Sequence, residues 1–351
     1  MEKLNDANIC SIKPLVTPEH LKEDFPVSDA LKDQIILNRK EIRNILEKKD
    51  KRMLAIVGPC SIHDPVAALE YATKLVALRE KYKSRLCIIM RVYFEKPRTA
   101  LGWRGLILDP DLDDSYKLEK GLRQARKLLL EINNLGLPAG SEILDPIVPQ
   151  YISDLISWAA IGARTTESQT HRELTSGLSM PVGFKNGTDG SMDVAINGIH
   201  SAQHPHSFIG IDKKGQTCVL STAGNKTGHP ILRGGKRGPN YYEEIIEDTE
   251  ELLIKEGLRP VVLIDCSHEN SGKKYYRQER VMNSIMDQRS RGRDSIVGFM
   301  LESNIHEGKQ SIPEDKNQLA YGVSITDACI SFESTIQILD SAYQVLGKLK
   351  S

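Results

Sequence analysis

Cys60, His268, Glu302 and Asp327 offer a thiolate, an imidazole and two carboxylates. That mixture suits one first-row divalent ion such as Mn, Fe, Co or Zn better than Mg or Ca, which prefer oxygen ligands alone. The separations along the chain are long, and spacing alone is weak evidence. Placement is stronger: Cys60, His268 and Glu302 each follow closely on a short apolar run, and Asp327 follows an irregular loop. Taken singly, each has a plainer role. A cysteine is usually a small buried hydrophobe, a loop histidine is usually held by hydrogen bonds, and carboxylates often cap helices or join ion pairs.

A second set is cationic: Arg91, Lys96, Arg98, Arg164, Lys185 and Arg233, with Glu142 at another run end. The chain carries 47 Lys plus Arg against 47 Asp plus Glu. Six cations gathered at one mouth of such a protein would repel one another unless anions fill the site. Arginine forks bind phosphate and carboxylate bidentately, and lysine supplies a mobile point charge. The plainer reading is solvated charge paired with Glu95 or Glu142. It fits Arg98 better than Lys185, whose neighbours Phe184, Asn186 and Gly187 are uncharged. Gly234, Gly235 and Gly238 resemble an anion-binding loop, yet neither GxxxxGK[ST] nor GxGxxG occurs. Small phosphorylated metabolites, not nucleotides, are the expected ligands.

These residues need a scaffold that brings strand ends together. Short apolar runs occupy 53–57, 86–92, 139–143, 158–163, 181–185, 207–211, 261–265 and 296–301, with helical patterns between most of them. Eight buried strands alternating with helices predict a (β/α)8 TIM barrel, with an open doubly wound sheet as the alternative. In a barrel all the strand ends named above open on one face. Asp64-Pro65 and Asp145-Pro146 read as N-cap plus first-turn proline, Ser115 as the cap of a helix reaching Asn134, Pro239 as a helix start and Gly257 as its end. Residues 1–50 form an irregular arm followed by an amphipathic helix over 29–48, capped by Ser28, that covers the barrel bottom or packs on a partner subunit. Residues 51–351 are the catalytic barrel, with an insertion at about 212–235 that includes one strand of an added hairpin.

Composition sets further bounds. The 351 residues are 40% hydrophobic and 27% charged, as in an ordinary globular protein. Zero net charge weighs against nucleic acid or a membrane surface as partner. The longest stretch free of Asp, Glu, Lys and Arg, 194–211, holds three histidines and suits no membrane span. Six scattered cysteines without a CxxC pair, and an N-terminus without an apolar leader, predict a reducing, cytoplasmic setting.

The strings GPCSIHDP (58–65), MRVYFEKPRT (90–99), GARTTESQTHRE (162–173), PVGFKNGTDG (181–190), ILRGGK (231–236), DCSH (265–268), ESNIHEG (302–308) and YGVSITDACI (321–330) are distinctive together. Over nearly the whole chain they resemble the class I alpha 3-deoxy-D-arabino-heptulosonate-7-phosphate (DAHP) synthases. The resemblance implies condensation of phosphoenolpyruvate with erythrose 4-phosphate and water, giving DAHP and phosphate, the first step of the shikimate route to aromatic amino acids. It implies that Cys60, His268, Glu302 and Asp327 hold one divalent metal per subunit. Arg164 and Arg233 would then grip the phosphate of phosphoenolpyruvate, and Arg91 and Lys185 its carboxylate, with Glu142 nearby. Lys96, Arg98 and Thr99 would orient erythrose 4-phosphate, and Lys96 and His268 are the candidates for moving protons.

Members with this N-terminal extension and hairpin are inhibited by an aromatic amino acid. The implied effector site lies near Pro149, Gln150, Leu178, Ser179, Phe208 and Gly210, with the arm of a neighbouring subunit in a homodimer or homotetramer. The phenylalanine-sensitive isozyme has Ser at the position of Gly210 and the tyrosine-sensitive one has Gly. With FIGI, DCSH and ESNIHEG, this makes the chain most like the tyrosine-sensitive isozyme and tyrosine the expected effector. The plainer role of Gly210 is relief of strand packing. Cys329, two residues from Asp327, is expected to approach Cys60, where oxidation could join them. A 3-deoxy-octulosonate-8-phosphate synthase is the nearest rival, disfavoured by KPRT at 96–99 and by the extension. A class II aldolase needs no thiolate ligand beside so many anion-binding groups. A metabolite-binding regulator would not keep four ligands and six cations.

Overall fold

Two hydroxyl caps start the chain's first helices. Thr17 accepts from the His20 amide at the head of α1 (Pro18–Asp24), and Ser28 from the Leu31 amide at the head of α2 (Asp29–Leu46). The structure, a computed structural model, describes residues 4–98 and 101–349. After α2 the βα rhythm begins with β1 (Met53–Gly58), α3 (Pro65–Tyr82), β2 (Leu86–Arg91), α4 (Leu118–Asn134), β3 (Ala139–Glu142) and the short α5 (Pro149–Ile152). It continues with β4 (Trp158–Ile161), α6 (Gln169–Gly177), β5 (Val182–Lys185), α7 (Asp193–Gln203), β6 (Ser207–Ile211) and β7 (Thr217–Ser221). The last elements are β8 (His229–Leu232), α8 (Glu243–Lys255), β9 (Val262–Asp265), α9 (Gln278–Ser290), β10 (Ile296–Glu302) and α10 (Phe332–Leu346).

Eight strands close into a parallel barrel in the order β1-β10-β9-β8-β5-β4-β3-β2, as the eight-run pattern predicts. One of the eight expected runs is wrong. Residues 207–211 pair antiparallel with 217–221 in a separate two-stranded hairpin, and the barrel takes His229–Leu232 in their place. The reason lies in burial: 229–232 is buried at every residue, whereas 207–211 is half-exposed, as an isolated hairpin must be. The insertion is therefore the hairpin 207–221 between α7 and β8, not 212–235. Three helix signals also shift. Ser115 caps nothing, since α4 starts after Lys117 without a side-chain cap. Asp145 accepts from the amides of Ile147 and Val148 in a turn ahead of α5. Pro239 precedes a turn, and α8 begins after Tyr242.

Side-chain alternation divides the core in two. Outward rows such as Met53, Ala55 and Val57 pack on the surrounding helices. Inward rows such as Leu54 and Ile56, Cys87 and Ile89, and Leu263 form a second cluster that α2 plugs from below with Ile42, Ile45 and Leu46. Trp158 fills the middle of the barrel, where Gly140 and Gly183 leave room: a Cβ on either would stand about 3 Å from its ring. Its Nε1 donates to His229 Nε2 at 3.1 Å, while His229 Nδ1 meets the Thr227 carbonyl at 3.0 Å. Those partners require the neutral Nδ1–H tautomer, and burial pushes the imidazole down to about 4. Among the described residues no helix is long and apolar enough to cross a membrane.

Candidate active site

Period-two alternation explains how the chemistry reaches the mouth. Above the apolar inner layer, the next inward positions are Arg91 on β2, Glu142 on β3, Lys185 on β5, Arg233 after β8, Asp265 on β9 and Glu302 on β10. All six are buried. They sit where the strands end, as a barrel's reactive groups do.

Cys60 follows the end of β1 and is fully buried. Asp327 reaches it from afar, because the chain after β10 folds back through isolated bridges between Ser303 and Ile330 and between Gly308 and Cys329. A bond of 2.7 Å between the hydroxyls of Ser61 and Thr326 pins that return beside β1. Cys60 Sγ then lies 3.7 Å from Asp327 Oδ2, and ligand atoms of Cys60, Glu302 and Asp327 all fall within 4.8 Å of one another. His268 is not in that close trio. Its Nε2 stands 3.8 Å from Glu302 Oε1, and its backbone holds a left-handed φ of 51°. Three of the four predicted ligands are thus gathered and the fourth borders them. A soft thiol and two carboxylates with an imidazole at the edge fit a first-row divalent ion.

Cations surround this cluster. Lys96 Nζ donates to Cys60 Sγ at 3.1 Å and to the Cys60 carbonyl at 3.4 Å. Burial alone would lower the Lys96 ammonium, but Cys60, Glu302, Glu142 and Asp327 outweigh it and hold it above its ordinary value. Burial pushes the Cys60 thiol up to about 11, helped by Glu302 and opposed by Lys96. Arg91 Nη2 meets Glu302 Oε1 at 3.2 Å, and burial of Glu302 is overridden by His268, Arg91 and Lys96, which bring it down to about 2. Ser267 donates to the other Glu302 oxygen at 2.7 Å, and Gln278 binds both the amide and the carbonyl of Glu302.

Asp265 joins the two halves of the site. Its Oδ2 lies 3.0 Å from Lys185 Nζ and 2.9 Å from His268 Nδ1. Both are close contacts, the one to Lys185 an ion pair, although neither geometry makes an aligned hydrogen bond. Against its own burial, His268, Lys185 and Arg91 hold Asp265 well below the ordinary carboxylate range. Arg91 Nη1 is buried and, among the described residues, has no hydrogen-bond partner. An unsatisfied guanidinium N–H at a barrel mouth is the donor that an incoming anion takes up.

A cavity of about 520 Å³ opens beside the cluster, lined by Glu95, Lys96, Arg98, Arg104, Asp145 and Arg164 among others. Arg164 therefore shares a wall with Lys96 and Arg98, and it donates to the Pro97 carbonyl at 3.4 Å. Arg233 lies deeper, with Nη2 3.8 Å from Glu269. Thr99 falls outside the described residues. Arg104, in the cavity wall, and Asp265, between Lys185 and His268, lie outside the set of residues expected to bind substrate or metal. Asp265 had a readable signal, the same inward parity as Glu302, whereas Arg104 sits on an irregular loop with none. Glu95, read only as a pairing partner, is buried, and that burial with Asp145 and Glu142 pushes it up to about 8. Cys329 is a free, fully buried thiol, pushed well above its ordinary value by burial and then by Cys60 and Glu302.

The expected effector residues sit on three segments: Pro149 and Gln150 on α5, Leu178 and Ser179 just after α6, Phe208 and Gly210 on β6. The arm links them. Tyr151 donates to the Val16 carbonyl at 2.7 Å, the Glu19 amide to the Lys213 carbonyl at 2.8 Å, and Ser176 and Thr222 share a 2.6 Å bond at the hairpin base.

The chain matches the family model described as "DAHP synthetase I family" over residues 25–340. It is 53% identical to the Tyr-sensitive phospho-2-dehydro-3-deoxyheptonate aldolase of Escherichia coli, over 99% of this chain and 97% of the relative. It is also 53% identical to the Phe-sensitive enzyme of the same organism, over 95% of each chain. The solved phospho-2-dehydro-3-deoxyheptonate aldolase of Francisella tularensis superposes with a TM-score of 0.95 at 47% identity, covering 98% of this chain and all of the other.

Proposed function

The chain belongs to the DAHP synthetase I family, and we propose how its own residues carry out the reaction of that family. It is a DAHP synthase, joining phosphoenolpyruvate, erythrose 4-phosphate and water into DAHP and phosphate at the head of the shikimate pathway, under feedback inhibition. The observation that carries the assignment of residues is the buried, unpartnered Arg91 Nη1 beside the Cys60–Glu302–Asp327 cluster.

Cys60, His268, Glu302 and Asp327 would hold one divalent ion, Mn, Fe, Co or Zn, and the soft thiol beside two carboxylates supports that class. When bound, such an ion supplies Lewis acidity toward a carbonyl oxygen. Arg91 and Lys185 receive the carboxylate of phosphoenolpyruvate, Arg91 through its free Nη1. Arg233 and Arg164 take its phosphate, and Glu142 lies between these groups at the inward end of β3. Lys96 and Arg98, with Thr99 and Arg104, orient erythrose 4-phosphate in the cavity that Lys96, Arg98 and Arg104 line.

Carbon 3 of the enol attacks the aldehyde carbon, and the carbonyl electron pair moves onto oxygen. Lys96, held protonated by its anionic surroundings, donates a hydrogen bond or a proton to that oxygen. Water adds at carbon 2 of the former enol. The C2–O bond to phosphate then breaks, releasing phosphate and leaving the ketone of DAHP. His268, with Nδ1 2.9 Å from Asp265, is the second group proposed to move protons in these steps.

The test measures phosphate release and loss of enol absorbance with both substrates, before and after chelation. Turnover that requires erythrose 4-phosphate, stops with chelator and returns with a divalent ion is expected. Full turnover in chelator would overturn the metal assignment, and a preference for arabinose 5-phosphate would overturn the sugar.

Regulation is read as tyrosine binding near Pro149, Gln150, Leu178, Ser179, Phe208 and Gly210, completed by the arm of a second subunit. Exposed apolar residues support that reading: Leu4, Ile9 and Ile12 on the arm, and Ile209 with its cross-strand partner Val219 on the hairpin, are left uncovered in one chain. A homodimer or homotetramer would bury them, and sedimentation as a monomer would refute it. A cytoplasmic setting fits six free cysteines.

A further inference from the structure

Three asparagines far apart in the sequence meet under the Arg233 loop. Asn186 follows β5 and is fully buried; Asn240 precedes α8 at 5% exposure; Asn270 follows β9 at 3%. Between them they bind nearly every backbone polar group from Leu232 to Gly234. Asn186 Oδ1 accepts from the Arg233 amide at 2.8 Å, and its Nδ2 donates to the carbonyls of Gly234 at 3.0 Å and Gly187 at 2.8 Å. Asn240 Oδ1 accepts from the Gly234 amide at 2.7 Å. Asn270 Nδ2 donates to the carbonyls of Leu232 at 3.0 Å and Asp265 at 2.9 Å, and its own amide reaches the Arg233 carbonyl at 3.3 Å.

The asparagines also bind one another. Asn240 Nδ2 donates to Asn186 Oδ1 at 3.1 Å, and the Asn240 amide donates to Asn270 Oδ1 at 2.8 Å. Asn186 thereby uses both N–H groups and both lone pairs, the full capacity of a side-chain amide. A carboxylate could not donate here, an amine could not accept, and an aliphatic residue would strand buried backbone groups. Gly234 explains why the loop needs such support. Its φ is +74°, and a Cβ there would stand 2.8 Å from the Asn270 nitrogen, so the loop passes too close for any side chain.

Resting on the reaction proposed above, we infer that Asn186, Asn240 and Asn270 act as one positioning unit, presetting Arg233 relative to Lys185 and His268 for the phosphate of the enol substrate. Each partner of the unit adjoins one of those residues: Asn186 follows Lys185, the loop carries Arg233, and Asn270 lies two residues past His268. Fully satisfied buried amide networks are stiff, so the guanidinium is held in place before substrate arrives.

The experiment compares metal-loaded wild type with Asn240→Ala and Asn240→Asp. Asn240→Ala should raise KM for phosphoenolpyruvate about tenfold or more, with KM for erythrose 4-phosphate within about twofold and kcat within about threefold. Asn240→Asp keeps an oxygen for the Gly234 amide and loses the donor to Asn186, so it should recover part of the loss. Equal changes in both KM values, or a lower melting temperature with neither KM altered, would overturn the proposal. Should Asn240→Ala not fold, Asn240→Asp and Asn270→Ser decide by the same selectivity. Calorimetric titration with phosphoenolpyruvate and with inorganic phosphate separates this idea from the reaction itself. Weakened binding of both ligands in the variants supports the unit even if wild type fails to condense the two substrates, and unchanged binding sinks it.

Discussion

Arg91 Nη2 lies 3.2 Å from Glu302 Oε1 with both side chains out of water, yet Arg91 Nη1 has no partner among the described residues. One arm of the fork is spent on the metal-ligand cluster and the other is buried beside it without a partner. A charge this deep is tolerated because the Glu302 and Asp265 carboxylates beside it oppose the cost of burial and keep the guanidinium charged. Arg91→Lys replaces a planar fork by a point charge that cannot serve both directions. Steady-state kinetics should show KM for phosphoenolpyruvate raised about 10- to 100-fold, the worth of a charged hydrogen bond, with KM for erythrose 4-phosphate little changed. Parallel increases for both substrates would refute the assignment of the unpartnered arm.

Metal uptake should release protons. Burial holds the Cys60 thiol up to about 11, so at neutral pH it is protonated, whereas a metal ligand must be thiolate. Calorimetry in buffers of different ionisation enthalpy should find about one proton released per divalent ion bound. Affinity should rise about tenfold per pH unit through the neutral range, provided the other ligands are already deprotonated. Cys60→Ser should lose most metal and turnover while keeping its melting temperature. Binding without proton release would show that Cys60 is not a ligand.

His229 makes the fold sensitive to acid. Its folded value is depressed by burial from 6.5 to about 4, so the unfolded chain binds more protons between those limits. Stability from this group is therefore fully present above about pH 6.5 and is lost as pH falls toward 4. The full range is worth about 3 kcal/mol. In His229→Gln, whose amide oxygen can still accept from Trp158, the loss between pH 6.5 and 4 should be shallower than in wild type. Identical slopes in denaturant titrations would contradict this.

Gly210 offers a test of effector choice. A Cβ placed there would come 2.5 Å from Leu220 Cδ1, the far end of a flexible side chain on the opposing strand. Gly210→Ser can therefore be accommodated if Leu220 turns, at the cost of space beside Phe208. The expected outcome is tyrosine inhibition weakened about tenfold or more, with kcat and both KM values unchanged. Wild type inhibited by phenylalanine and not by tyrosine would refute the effector assignment.

Much of the site was readable from the chain because two periodicities are local. Alternation along a strand decides that Arg91, Lys185, Asp265 and Glu302 share the inner parity with apolar residues two positions earlier, and an abrupt polar end to an apolar run marks the barrel's open face. The caps at Ser28 and Asp64 were legible for the same reason, since a hydroxyl or carboxylate binds amides two or three residues on. The tertiary structure decided what depends on distance. Whether 207–211 or 229–232 joins the barrel turns on which run is buried on both faces, and both are short and apolar. Asp327 reaches Cys60 only because bridges at Ser303 and Gly308 fold the chain back. The meeting of Asn186, Asn240 and Asn270 has no local signature at all. An amide recruited to satisfy a buried backbone is selected by where loops converge, and that convergence exists only once the barrel has closed.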